Sequence, residues 1–132
     1  MIIDDNEIDI FIHKKVIESM NIAERILTFT HGTDALNHLK LIEDETTYYS
    51  LFAPQLILLD INMPDMNGFE FLEEFDKLKI FKQKPVEIFI VSSSSNFLEI
   101  EKANNNINCS AFIQKPLEMN KLLYHINRAA TS

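Results

Sequence analysis

The chain has 132 residues, 46% of them hydrophobic and 24% charged, which suits one folded domain with its own core and excludes a disordered segment. Acidic residues outnumber basic ones 20 to 12, for a formal net charge of -8, and that balance argues against direct binding to nucleic acid. No apolar run approaches the length of a membrane span, no signal peptide is visible, and the lone Cys109 has no partner for an internal disulfide; membrane insertion is not expected, and a reducing, cytoplasmic setting is.

Residues 1–3 read as the stub of a strand. Over 7–20, Ile8, Phe11, Ile12, Val16, Ile17 and Met20 fall at helical spacing. "RILTFT" (25–30) reads as a short strand with polar residues mixed in. Gly32 breaks the chain before a second helix with Ala35, Leu36 and Leu39 on one face. "EDETTYYSLFAP" (43–54) extends that helix or forms a surface loop, its Tyr48 and Tyr49 expected to pack on the domain. The strand at 55–59 is almost wholly apolar. A third helix follows Gly68, with Phe71, Leu72, Phe75 and Leu78 as its core stripe. "VEIFIV" (86–91) is a strand rich in β-branched residues. A weaker helix spans 96–104, and "SAFIQ" (110–114) is a fifth strand, with Cys109 read as a small strand residue. The chain closes with a helix over 117–130, striped by Met119, Leu122, Leu123 and Ile126.

Five β-α units in strict alternation imply a parallel sheet with helices on both faces and right-handed crossovers. The strands at 56–59 and 86–91 are nearly all apolar, as central strands are; those at 25–30 and 110–114 are mixed, as edges are. The expected fold is therefore α/β: a flavodoxin-like (βα)5 doubly wound parallel sheet of order 2-1-3-4-5, forming one domain over 1–132.

Ligands of such sheets bind beyond the carboxyl ends of the strands, near the switch in strand order. Strand one ends in Asp4 and Asp5, strand three in Asp60, strand four in Ser92, and strand five in Lys115, followed by Pro116. Strands one and three are neighbours in that order, so three carboxylates converge, flanked by a hydroxyl and an ammonium. Crowded carboxylates repel and take up protons unless a cation relieves them. A hard divalent ion such as Mg2+ accepts this oxygen set. With the ion and Lys115 the formal charges sum to about zero, and the site could then accept a phosphoryl group on Asp60 as nucleophile. Each feature has a plainer reading alone. Asp5 or Asn6 can cap the first helix, and a Lys-Pro pair or a serine run is common at surfaces. Their conjunction at the proper strand ends carries the signal.

"IIDDN" (2–6), "LILLDINMPDMNGFEFL" (56–72), "IFIVSSS" (88–94) and "FIQKP" (112–116) together span nearly the whole chain. With them the sequence resembles the receiver domain of bacterial two-component response regulators, in its single-domain form. The resemblance implies that Asp60 is the phosphoacceptor, charged by a sensor histidine kinase or a histidine phosphotransfer protein. It implies a Mg2+ site in which Asp5 binds directly, Asp4 through water, and Asp60 and the Asn62 carbonyl complete the set. Ser92 corresponds to the hydroxyl that hydrogen-bonds the phosphoryl group and Lys115 to the lysine that pairs with it. Phe112 stands at the switching aromatic, and the side chains of Asn62 and Ser94 stand where dephosphorylation is tuned. Pro64 and Gly68 match the turn after the acceptor, with Gly68 expected to supply a backbone shape that a side chain would hinder.

The sequence departs from the family pattern in four places. Strand one is short, serine replaces the commoner threonine at Ser92, phenylalanine replaces the commoner tyrosine at Phe112, and 43–54 is longer than usual. Phosphorylation is expected to draw in Ser92 and Lys115, let Phe112 turn inward, and alter the face made by helix 96–104, strand 110–114 and the closing helix. No output domain is expected, nor catalysis beyond the protein's own phosphorylation and dephosphorylation. An unidentified downstream protein is the expected partner, and a homodimer on activation stays open. Three rivals stand beside this reading. One is a phosphorylation-independent adaptor. An aspartyl-phosphate phosphohydrolase would want a second acid at Asn62. A flavin-binding domain would want a phosphate-cradling loop where "DDNEID" stands. His13, His31, His38 and His125 show no metal spacing and are expected to be surface or partly packed residues.

Overall fold

Apolar side chains pointing both ways along the central strands dictate a sheet covered on both faces. The computed structural model describes residues 1–44 and 53–131; Tyr48 and Tyr49, and most of the 43–54 segment, lie outside the described residues. Strands β1 (Ile2–Ile3), β2 (Thr28–Phe29), β3 (Leu56–Leu59), β4 (Glu87–Ser92) and β5 (Ala111–Gln114) form one parallel sheet of order β2-β1-β3-β4-β5. The helices are α1 (Glu7–Met20), α2 (Gly32–Asp44), α3 (Gly68–Asp76), α4 (Ile80–Gln83), α5 (Phe97–Asn104) and α6 (Met119–Thr131).

Alternation along β3 and β4 splits the core in two. Ile57, Leu59, Ile88 and Ile90 point to one side, where Leu36 and Leu39 of α2, Phe71, Leu72 and Phe75 of α3, and Ala103 of α5 cover them. Leu58, Phe89 and Val91 point to the other side, against Ile17 of α1 and Leu122 of α6.

Four local expectations are corrected. Only Thr28–Phe29 of the 25–30 run is strand, because β1 offers just two residues to pair with. Helix α4 was not anticipated; it buries Phe81, whose ring stacks on Phe75 at 5.1 Å between centroids. Cys109 precedes β5 in a turn, half-buried, its thiol donating to the Ala111 carbonyl at 3.2 Å. Two helices are turned from their expected stripes. In α1 the inward line is Ile10, His13, Ile17 and Met20, with Val16 beside it, while Ile8 and Phe11 are 70% and 61% exposed and Ile12 also faces out. His13 is thus fully buried, because the 3.6-residue period places it between Ile10 and Ile17. Burial lowers its pKa, against the opposing pull of Asp4 and Asp9, which favours the neutral imidazole. In α6, Leu122 is inward but Met119 and Leu123 are exposed. The remaining histidines fit the expectation: His31 is exposed, while His38 and His125 are half-buried.

Asparagine side chains cap the starts of α1, α3 and α5. Asn6 caps α1 by accepting from the Ile8 and Asp9 N–H groups. Asn67 and Glu70 form a reciprocal capping box at α3. Asn67→Ala is expected to cost about 1 kcal/mol in urea unfolding. An unchanged midpoint would mean the box contributes nothing net.

Candidate functional site

The sheet ladder itself assembles the pocket. The Asp4 N–H donates to the Phe29 carbonyl at 3.0 Å and the Asp60 N–H to the Ile3 carbonyl at 2.9 Å, so both acids leave adjacent strands side by side. One carboxylate oxygen from each of Asp4, Asp5 and Asp60 lies within 4.8 Å of the others. Asp4 and Asp60 are buried, and Asp5 stands exposed at the rim. Burial, and then the charge of Asp4, push the Asp60 carboxyl up to about 6, against the opposing pull of Lys115.

Lys115 reaches into this cluster from the end of β5, where its own N–H donates to the Ser92 carbonyl at 2.8 Å. Its Nζ donates to Asp4 Oδ2 at 2.9 Å, to Asp9 Oδ2 at 2.9 Å, and to Asp60 Oδ1 at 3.5 Å. Burial works against the ammonium, but the bonds to Asp9 and Asp4 outweigh it and hold the Lys115 pKa above the ordinary lysine value.

Comparison with known proteins gives this arrangement its family. Residues 1–127 match the family described as response regulator receiver domain. The chain belongs to the response regulator receiver domain family. Similar proteins include the two-component response regulator ARR17 of Arabidopsis thaliana, 30% identical over 94% of this chain and 81% of that one. Among solved structures, a two-component response regulator from Cytophaga hutchinsonii is 27% identical with a TM-score of 0.84, covering 99% of this chain and 95% of that one. A response regulator receiver protein from Dyadobacter fermentans DSM 18053 is 28% identical with a TM-score of 0.79, covering 96% and 93%. Receiver domains are signalling proteins rather than classical enzymes, and they bind Mg2+ at an acidic pocket.

The residues of this receiver fit such an ion. The cluster offers only hard carboxylate oxygens, set within 4.8 Å of one another. Burial first, and then the neighbouring Asp4 charge, disfavour the ionised Asp60 carboxylate, and a bound cation would offset both. Ser92 ends β4, fully buried. Its Oγ accepts the Ser94 N–H at 3.1 Å, which leaves its O–H to donate. Ser94 Oγ donates to Glu99 Oε2 at 2.5 Å and accepts from the Asn96 N–H at 3.1 Å, tying the loop to the first turn of α5. Asn62 is exposed on the loop after β3. Phe112 is half-buried against the core, across from Ile90 on β4, and belongs to β5 rather than to the pocket.

Two sequence-level readings need amendment. Gly68 has no positive φ; what it supplies is space, since a Cβ there would lie 2.6 Å from the Asp60 carbonyl oxygen. Asp9 was missed altogether. It stands in the first turn of α1, directly after the Asn6 cap, so it lies close to the strand-end acids that precede the helix, and that position could have flagged it. A further tie supports the pocket wall: Thr33 donates to Asp65 Oδ2 through its hydroxyl at 2.5 Å and its N–H at 3.2 Å, joining the start of α2 to the loop after β3.

Proposed function

We propose that this receiver is a Mg2+-dependent phosphoacceptor that takes a phosphoryl group on Asp60 from the phosphohistidine of a sensor histidine kinase or histidine phosphotransfer protein. The observation that carries this is the burial of Asp60 beside Asp4 and Asp5, with Lys115 Nζ already within 3.5 Å of its carboxylate. An Asp60 oxygen attacks phosphorus. A P–O bond forms as the P–N bond to imidazole breaks, and the electron pair leaves with the imidazole. Asp60 must be ionised to attack, which the buried pocket opposes below about pH 6. Asp4, Asp5, Asp60 and the Asn62 carbonyl would hold Mg2+, which would supply neutralisation of charge on the phosphoryl oxygens. Lys115 pairs with a phosphoryl oxygen, and Ser92 donates its hydroxyl to another.

Signalling then runs through the α5-β5-α6 face. Ser92 and Lys115 sit at the ends of β4 and β5, and the Ser94–Glu99 bond couples the Ser92 loop to α5. Phe112 turns inward as Ser92 moves. Phe97 and Leu98, 73% and 72% exposed at the start of α5, offer that face an apolar contact for a downstream protein.

The test is intact mass after incubation with acetyl phosphate, with and without Mg2+, on the native protein and Asp60→Asn. A single phosphoryl adduct is expected only when Asp60 and Mg2+ are both present. An adduct on Asp60→Asn, or none on folded native protein with Mg2+, overturns the reading; the second result points to a phosphorylation-independent adaptor.

A further inference from the structure

We propose that Asp9 is a positioning residue that holds Lys115 away from Asp60 while the acceptor is free, and so favours the metal while opposing the phosphoryl group. The inference rests on the phosphoacceptor reading above. The Lys115 ammonium has three protons and meets three carboxylates, but unequally. Asp4 and Asp9 are each at 2.9 Å, and Asp60 is at 3.5 Å. Asp4 is also one of the three clustered acids; Asp9 is not.

The pair is built to persist. The side chains of Lys115 and Asp9 are 13% and 27% exposed, so their attraction is less screened than that of a surface ion pair. The first turn of α1 is fixed by the Asn6 cap, which accepts the N–H of Asp9 itself. Lys115 is fixed from the other side by its N–H bond to Ser92. The contact joins residues 106 positions apart, across the first helix and the end of the last strand.

Two consequences of opposite sign follow. With Asp9 present, three carboxylates share one ammonium, and much of its charge is spent on a group the metal does not need. Without Asp9, Lys115 leans on Asp4 and Asp60, whose oxygens the cation requires, and one attractive charge is gone. Mg2+ binding then weakens. A phosphoryl group, by contrast, competes with Asp9 for the same ammonium and is repelled by the Asp9 carboxylate. Removing Asp9 strengthens phosphoryl binding once Mg2+ is saturating.

The experiment compares the native protein with Asp9→Asn and Asp9→Glu. Mg2+ alone is titrated first, followed by backbone amide shifts; beryllofluoride is then titrated at saturating Mg2+. Asp9→Asn is expected to weaken Mg2+ roughly three- to tenfold and to lower the half-saturating beryllofluoride by a similar factor, the scale of one unit charge in a half-solvated site. Asp9→Glu, which keeps the charge, should stay near native on both. If Asp9→Asn weakens both ligands together, Asp9 merely props the pocket; if it changes neither, the clamp does not exist. Either result overturns the inference while the native protein still binds both ligands. A native protein that binds neither removes the phosphoacceptor reading, and this inference with it.

Discussion

Asp60→Asn is expected to be more stable than the native protein by about 2 kcal/mol at pH 8 without Mg2+, and nearly equal to it at pH 4. Asp60 is held at about 6 in the folded state against an ordinary value of 3.8. Between those values the folded protein binds more protons at this site than the unfolded chain does, so stability falls as pH rises. The stability contributed by the protonated carboxyl is fully present below about pH 4 and is lost by the time pH has risen through 6. The full difference corresponds to about 3 kcal/mol. Asparagine forfeits part of this gain because Lys115 gives up its long contact with Asp60, though Asp4 and Asp9 still hold it. Urea unfolding of both proteins from pH 4 to 8 measures the gap; comparing them cancels the other titrating groups to the extent that they are uncoupled. Saturating Mg2+ should narrow or reverse it, because the ion binds the native carboxylate better than the amide. A native protein that gains stability relative to Asp60→Asn as pH rises from 4 to 6 would show that the pocket does not strain Asp60.

The architecture was legible because its strongest signals were non-local in consequence but local in form. Continuous apolar runs at Leu56–Leu59 and through β4 can only be central parallel strands, and that places Asp60 and Ser92 at the same end of the sheet. The acids of the pocket followed from strand ends alone. The rotation of α1 was less legible. Ile8, Phe11, Ile12, Val16 and Ile17 wrap more than half of the helix, so several faces satisfy the helical period, and only the packing of Ile10 and His13 against the sheet chooses between them. The same ambiguity left Met119 and Leu123 outside on α6. Asp9 was hidden for a different reason. A charge in the first turn of a helix is ordinary on the grounds of the helix dipole, and its partner lies at the far end of the chain. The role of Gly68 could not be told from sequence either, since glycine serves an unusual φ and a close approach equally well.

Gly68→Ala is expected to destabilise the protein by about 2–4 kcal/mol, although alanine is the better helix former by about 1 kcal/mol. The added Cβ would lie 2.6 Å from the Asp60 carbonyl oxygen and 3.0 Å from Ile61 Cα. Both are backbone atoms, so no side-chain rotation relieves the contact. Gly68 is drawn that close by its N–H bond to the Ile61 carbonyl at 2.8 Å, and α3 is seated there by the Asn67 capping box. The helix start or the end of β3 must move, and the end of β3 carries Asp60. Mg2+ binding should therefore weaken along with stability. Gly32→Ala is the control. Its Cβ would meet the Met66 carbonyl oxygen at 3.3 Å and the flexible Met63 side chain at 3.4 Å, and a shift of a few tenths of an ångström accommodates it, at a net change below about 1 kcal/mol. Urea midpoints of the two variants, with a Mg2+ titration of each, separate the cases. Equal midpoints would mean that the approach of α3 to the Asp60 backbone is slack, and that the position of the acceptor does not depend on it.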